Sequence, residues 1–334
     1  MSEDTKKRLT GVDFLKTLGL ICIVAAHTGP PGWVKMLRNF DVPLMVILSA
    51  MLGAESLNRR SRGGNNTWGY LLGRFKRIVF PTWIFLIIYF VLDLLLEGKA
   101  RPVKYYAASF LMTRYGMDYV WIMLIYLYAA VLIPLYGRLK PGWKTVALFV
   151  FVYALFEVAW HFRVLAHIGL VDTTFYYIVP YGVMTWLGFR YTRLGKKTKL
   201  GILMCAGFIF ILLAVYYRLH EGRFVNVQDA KYPPTLYYLS YGVLCSFLLM
   251  MLCLERPLGL FSHPLIRFIS SHSMWIYLWH ILMLRLYEAA GLPEIWYLKL
   301  VIVLSAAVLM TAGVDRALNP LERWKKNRWL RYLH

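Results

Sequence analysis

Cysteine is scarce in this chain, with four in 334 residues, Cys22, Cys205, Cys245 and Cys253. None is spaced as a metal ligand and the set forms no extracellular pairing pattern, so neither a metal site nor a disulfide framework is expected. All four fall in apolar runs, where a free thiol behaves as a small hydrophobe. Acidic residues are also few. Seventeen Asp and Glu against 38 Lys and Arg leave a net charge of +21. A surplus of that size can draw nucleic acid, but these cations come in short clusters between apolar runs. That distribution fits topology signals and contact with anionic lipid head groups rather than a groove-reading surface. No internal repeat is visible, so the inverted halves of many transporters are missing. No low-complexity run or linker marks off a second domain, and no appended extracytoplasmic hydrolase-like domain is seen. A single transmembrane domain over 1–334 is therefore expected. A cleavable signal peptide is not expected, because the first apolar run is too long and Pro30-Pro31-Gly32 is a poor cleavage site.

What the chain has in abundance is apolar sequence. Hydrophobic residues make up 59% of it and the mean hydropathy is +0.53, far above a soluble globular domain. An all-α, polytopic integral membrane protein is the fold this implies. Runs long enough to cross a bilayer predict ten helices, at 12–29, 40–57, 78–96, 118–136, 145–162, 174–191, 199–217, 233–254, 264–287 and 296–318. Ten spans put both termini on one side. With the termini inside, the inner segments, including 59–77, 138–144, 190–199 and the basic tail, exceed the outer ones in Lys and Arg by more than two to one. The positive-inside rule then places both termini in the cytoplasm. The segment 99–117 is too polar to span and reads as an amphipathic stretch along the interface. Loop 218–232, with Asn226, Gln228 and Asp229, is the most polar outer stretch and a candidate rim for a hydrophilic substrate.

Ionisable residues stand out against that background. Within Val12 to Gly29 the chain carries Asp13, Lys16 and His27. Each ionisable group in a spanning helix costs about 2.5–3.5 kcal/mol on insertion scales, which makes it a functional candidate. On a helix, Lys16 and His27 are rotated by only about 20° and separated by roughly 16 Å along the axis. Asp13 lies one turn before Lys16, where the two charges can pair. One stripe thus carries an ion pair near the cytoplasm and an imidazole toward the outer face. A snorkelling lysine with an interfacial histidine would read the same way.

Three further constellations accompany it. Arg74, Lys76 and Arg77 put three cations in four residues just before Pro81; the planar guanidinium fork suits phosphate oxygens, although a positive-inside anchor needs no more than this. Ser273, Tyr277 and His280 follow i, i+4, i+7 spacing and share a helix face, which can line a cavity or simply hydrogen-bond to neighbouring helices. In the second run, Ser49 and Ala50 suit close helix approach. Asp118 and Tyr119 stand near the outer face, His161 and His167 flank an outer loop, and Asp93 and Glu157 inside spans call for partners.

Taken in order, these elements resemble the acyltransferase 3 family of bacterial membrane O-acyltransferases that modify surface glycans. Asp13-Phe14-Leu15-Lys16 followed by His27 is similar to that family's first-helix motif. Met45 to Ala50 loosely matches its second, and Arg74, Arg77 and Pro81 its third. Trp121 to Tyr126 looks like its later aromatic segment, and Ser273, Tyr277, Leu278 and His280 match its Ser-x-x-x-Tyr-Leu-x-His element. The resemblance runs from about residue 10 to 318. Two positions depart: Lys16 replaces an arginine, which loses the bidentate fork, and Ala50 replaces a glycine.

The resemblance implies a bacterial cytoplasmic-membrane enzyme that uses acyl-CoA, most often acetyl-CoA, as co-substrate, with no tightly bound cofactor. The acceptor would be a hydroxyl of a surface polysaccharide or lipid-linked glycan, and nucleic acid is not an expected partner. His27 would be the general base, since no Ser or Cys nucleophile sits at an obvious spacing from it. Asp13 would hold Lys16, and Arg74, Arg77, Lys76 and Lys16 would meet the CoA phosphates. Tyr277, His280, Ser273, Trp121, Asp118 and Ser49 are the expected substrate contacts. A transporter or flippase for a glycan precursor is the rival, since it too would need ten spans and buried charge.

Overall fold

Thirteen helices carry the described part of the chain, and no strand occurs among the described residues. The structure is a computed structural model that describes residues 3–62, 67–162, 169–255 and 263–325. His167 and the basic tail beyond Lys325 lie outside those residues. In chain order the helices are α1 (Glu3–Ala26), α2 (Gly32–Leu37), α3 (Asp41–Arg62), α4 (Thr67–Glu97), α5 (Val103–Phe110), α6 (Trp121–Arg138) and α7 (Trp143–His161). They continue with α8 (Gly169–Tyr191), α9 (Lys196–His220), α10 (Leu236–Glu255), α11 (Pro264–Ser271), α12 (Ser273–Ala289) and α13 (Trp296–Lys325). Short 3₁₀ turns at Arg38–Phe40, Asp118–Val120 and Val227–Ala230 join them.

Seven helical stretches among the described residues are long and apolar enough to cross a membrane: Gly32–Arg60, Thr67–Glu97, Asp118–Arg138, Trp143–His161, Lys196–His220, Leu236–Glu255 and Trp296–Leu318. The chain is thus an all-α polytopic membrane protein, with seven such stretches where the apolar runs predicted ten. The other three predicted spans are helical over most of their length. The 12–29 run forms the later part of α1, helical as far as Ala26. The 174–191 run lies in α8, continuous through Pro180 but diluted by Thr and Tyr. The 264–287 run is broken: His272, at φ −104° and ψ 17°, ends α11 and precedes α12. Its N–H closes α11 on the Phe268 carbonyl at 3.0 Å, and its own carbonyl accepts from Ile276 N at 3.0 Å. Exposed apolar side chains line α7 and α9, among them Phe151, Phe208 and Ile211. Such faces are what lipid, not water, accommodates.

The chain divides into two compact units, each discontinuous in sequence. One comprises Met1–Pro31, Leu72–Leu124 and Pro257–His334; the other comprises Gly32–Leu71 and Ile125–Arg256. In the first, α1 packs on α11, α12 and α13, and α12 packs on α13. Leu15, Val24, Ile276, Leu278, Val303 and Ala307 are fully buried there. The predicted interface segment 99–117 is a two-turn helix, α5, followed by a folded loop. Ser109 Oγ donates to the Tyr105 carbonyl at 2.7 Å and accepts from Met117 N at 2.8 Å.

In the second unit α3 packs on α8 and α10, and α9 packs on α10. The approach of α8 to α3 depends on Gly188. A Cβ there would run into the Ile47 carbonyl oxygen and lie 2.9 Å from the Ala50 Cβ. The small residue that lets these backbones meet is on α8, where the Ala50 methyl packs against it. Ser49 lies in this unit, partly buried on α3. The polar loop 218–232 is tied inward: Gln228 accepts from Arg38 at 2.8 Å, and Arg38 pairs with the buried Asp41 at 2.7 Å. Glu157 finds its partners here too, accepting from Tyr153 Oη at 3.0 Å and Leu236 N at 2.6 Å.

Candidate active site

The site residues of the first unit gather at two levels of α1, near its middle and at its C-terminal end. At its C-terminal end the helix stops at Ala26, because Gly29 adopts φ +73° and Pro30-Pro31 cannot continue it. His27 therefore sits not on a helical stripe but in the closing turn, where His27 N donates to the Val24 carbonyl at 3.0 Å and Thr28 N to the Ala25 carbonyl at 3.3 Å. The Thr28 hydroxyl adds a third bond, to the Ala25 carbonyl at 3.0 Å. A turn so tied leaves the imidazole few orientations.

The rings of His280 and Tyr119 meet that imidazole. His27 Nδ1 lies 2.9 Å from His280 Nε2, and His280 Nδ1 bonds the Tyr277 carbonyl. The Tyr119 ring meets His27 edge-on at 4.8 Å and 89°. Tyr277 Oη donates to the Tyr119 carbonyl at 2.5 Å, which fixes the backbone that carries that ring. His280 is fully buried, and Tyr277 nearly so. The predicted i, i+4, i+7 stripe thus holds for Tyr277 and His280. Ser273 opens α12 and is part-exposed, and the contacts to His27 come from His280 and Tyr119.

Near the middle of α1, three side chains grip α11. Ser270 Oγ donates to Asp13 Oδ1 at 2.6 Å, Lys16 Nζ donates to the Ser270 carbonyl, and Thr17 Oγ1 donates to the Ile266 carbonyl at 3.1 Å. Carbonyls in the last turn of a helix lack intrahelical donors and carry the negative end of its dipole, so an ammonium is a fitting cap. Asp13 and Lys16 consequently meet at Ser270 as well as through their opposite charges. Lys16 also feels the charges of Arg77 and Arg74, which share a face of α4 at i, i+3 spacing. The cations brought toward Lys16 are these two; Lys76, two positions from Arg74, is on a different face.

Other predicted site residues lie elsewhere or have other work. Trp121 is buried at the start of α6. Asp118 is exposed and paired with Arg114 at 3.1 Å. Asp93, buried in α4, is held by Arg101 at 3.0 Å and Arg285 at 3.2 Å, and Arg285 also bonds Glu97. The hydrogen bond and charge of Asp93 raise the pKa of Arg101, so this loop guanidinium stays charged. Ser270 and Thr17 were not foreseen. Their sequence signal is faint, a serine and a threonine whose partners lie about 250 residues away.

A protein-family profile described as an acyltransferase domain matches residues 9–315, nearly the whole chain and every residue of this site. The chain belongs to the acyltransferase 3 family. No curated protein matches it, and no solved structure does. In this membrane acyltransferase the imidazole pair and the cation group belong to one unit, each with one member carried by α1 or the turn that closes it, and the others by α12 and α4.

Proposed function

We propose that this membrane acyltransferase is an acyl-CoA-dependent O-acyltransferase, in the first instance an O-acetyltransferase. The acyl group would pass from cytosolic acyl-CoA to a hydroxyl of a cell-surface polysaccharide or lipid-linked glycan, with His27 as general base. The observation that carries this reading is the pairing of His27 with His280, beside Tyr119, at the end of α1, the helix on which Lys16 stands about three turns earlier within reach of the charges of Arg74 and Arg77. Guanidinium groups suit the phosphates of a nucleotide thioester, and an imidazole suits removal of a proton from a hydroxyl near neutral pH.

The step balances as follows. His27 takes the hydroxyl proton while the oxygen bonds to the thioester carbonyl carbon. The carbon–sulfur bond breaks, and the departing thiolate recovers the proton from His27. Asp13, through Ser270, keeps the α1–α11 junction that carries Lys16 in place. Substrate contacts by Tyr277, Ser273, Trp121, Asp118 and Ser49 remain part of the proposal.

The test uses the full chain in isolated bacterial membranes with radiolabelled acetyl-CoA. Label is expected to enter the glycan fraction with one CoA thiol released per acetyl group. His27→Ala should lower that rate by about 10²–10⁴-fold, the usual contribution of a general base, with the protein still folded. Glycan movement without CoA release would identify a flippase instead.

A further inference from the structure

We propose that His280 is the positioning residue that sets the tautomer of His27, placing its basic lone pair on Nε2. This rests on the reading of His27 as the base. His280 Nδ1 faces the Tyr277 carbonyl, and a carbonyl only accepts, so Nδ1 bears the hydrogen. The ring is 0% exposed, and its two hydrogen-bond partners, a carbonyl and an imidazole, offer no negative charge. Charging it there would be costly, so it is neutral and its Nε2 holds a lone pair. The nitrogen 2.9 Å from that lone pair, His27 Nδ1, must then be the donor. Both rings carry hydrogen on Nδ1, and the lone pair of His27 lies on Nε2.

Ring geometry agrees. The two imidazoles are within 10° of parallel with centroids 5.2 Å apart. Parallel rings whose nitrogens approach to 2.9 Å are not stacked face to face, since stacked carbons stay about 3.5 Å or more apart. They lie edge to edge, along the direction in which a ring N–H points. The Tyr119 edge confines rotation of His27 about that axis. In the transfer step Nε2 takes the acceptor's proton and later returns it to the CoA sulfur. The Nδ1–H never leaves His27, and His280 neither gains nor loses a proton. Its part is to accept a hydrogen bond that strengthens when His27 becomes charged.

The experiment is solid-state NMR of the full chain in lipid bilayers with ¹³C,¹⁵N-labelled histidine. The eight histidines are resolved by difference against His27→Gln and His280→Gln. His27 is expected in the Nδ1–H form in the wild type. In His280→Gln that form should persist, because the amide oxygen can accept from Nδ1–H while its NH₂ serves the Tyr277 carbonyl. In His280→Leu it should revert toward the Nε2–H form that a free ring prefers. With acetyl-CoA and isolated membranes, His280→Leu should lower kcat by about 10–100-fold, as loss of an orienting partner does, with KM for acetyl-CoA unchanged. His280→Gln should recover most of the loss. A wild-type His27 in the Nε2–H form, or a His280→Leu enzyme with undiminished kcat, overturns the relay. Neither result depends on His27→Ala, whose full activity would sink the base assignment itself.

Discussion

Arginine and lysine diverge most at the basic cluster of α4, where three cations share four residues but not one role. Arg74 and Arg77 stand on the face of α4 whose charge reaches Lys16, and Lys76 does not. A planar guanidinium makes paired, charge-assisted bonds to phosphate, each worth roughly 1.5–3 kcal/mol. Arg74→Ala and Arg77→Ala are therefore expected to raise KM for acetyl-CoA by about tenfold or more each, with kcat nearly kept. Lys76→Ala should shift KM little. Steady-state kinetics on membranes separates these outcomes, and equal effects at all three positions would reduce the cluster to an undifferentiated basic patch. Asp13, Lys16 and His27 were legible in the sequence because charge in an apolar run is costly enough to stand out. Their partners were not. Ser270 contacts Asp13 across 257 positions and His280 contacts His27 across 253. Spacing along one helix says nothing of which other helix comes alongside.

At the scale of helices, hydropathy located the apolar runs well and their breaks poorly. The Ser270-Ser271-His272-Ser273 stretch puts four polar residues inside the predicted 264–287 run, and there His272 leaves helical geometry and divides α11 from α12. The break matters, because it ends α11 where the Ser270 carbonyl, in its last turn, meets Lys16. The termination of α1 at Ala26 could be read from Gly29-Pro30-Pro31, and the predicted run overshot it by three residues. Close packing was half legible: small residues at 49–50 marked the interface, but the residue that permits it is Gly188 on α8. Added bulk there meets a backbone carbonyl, which cannot swing aside. Gly188→Ala should therefore destabilise by about 1–3 kcal/mol, the usual cost of overpacking. Gly201→Ala on α9, where a Cβ meets nothing within 4 Å, should be neutral or stabilising by up to about 1 kcal/mol. Thermal unfolding of the two detergent-purified variants, measured side by side, checks the contrast. A Gly188→Ala midpoint equal to wild type would mean that α8 and α3 do not meet as closely as described.

For the whole molecule, each unit is assembled from separate stretches of chain, so no linker could have announced them. What the sequence does announce is sidedness. Lys and Arg crowd 59–77, 138–144 and 190–199 and thin out in the segments between, a bias from which the positive-inside rule predicts that the richer loops face the cytoplasm. Sidedness decides the chemistry, because a charged CoA thioester does not cross a bilayer unaided, whereas a surface glycan lies beyond it. Arg74 and Arg77 face the donor only if the 59–77 segment is inside. Replacing the four native cysteines and placing single ones at Lys197 and Arg223, on opposite ends of α9 and its following loop, tests this directly. A membrane-impermeant maleimide should label the Arg223 position in intact cells and the Lys197 position only after permeabilisation. The reverse pattern would put the guanidinium pair outside, away from any cytosolic thioester, and the acyl-CoA reading would have to be abandoned.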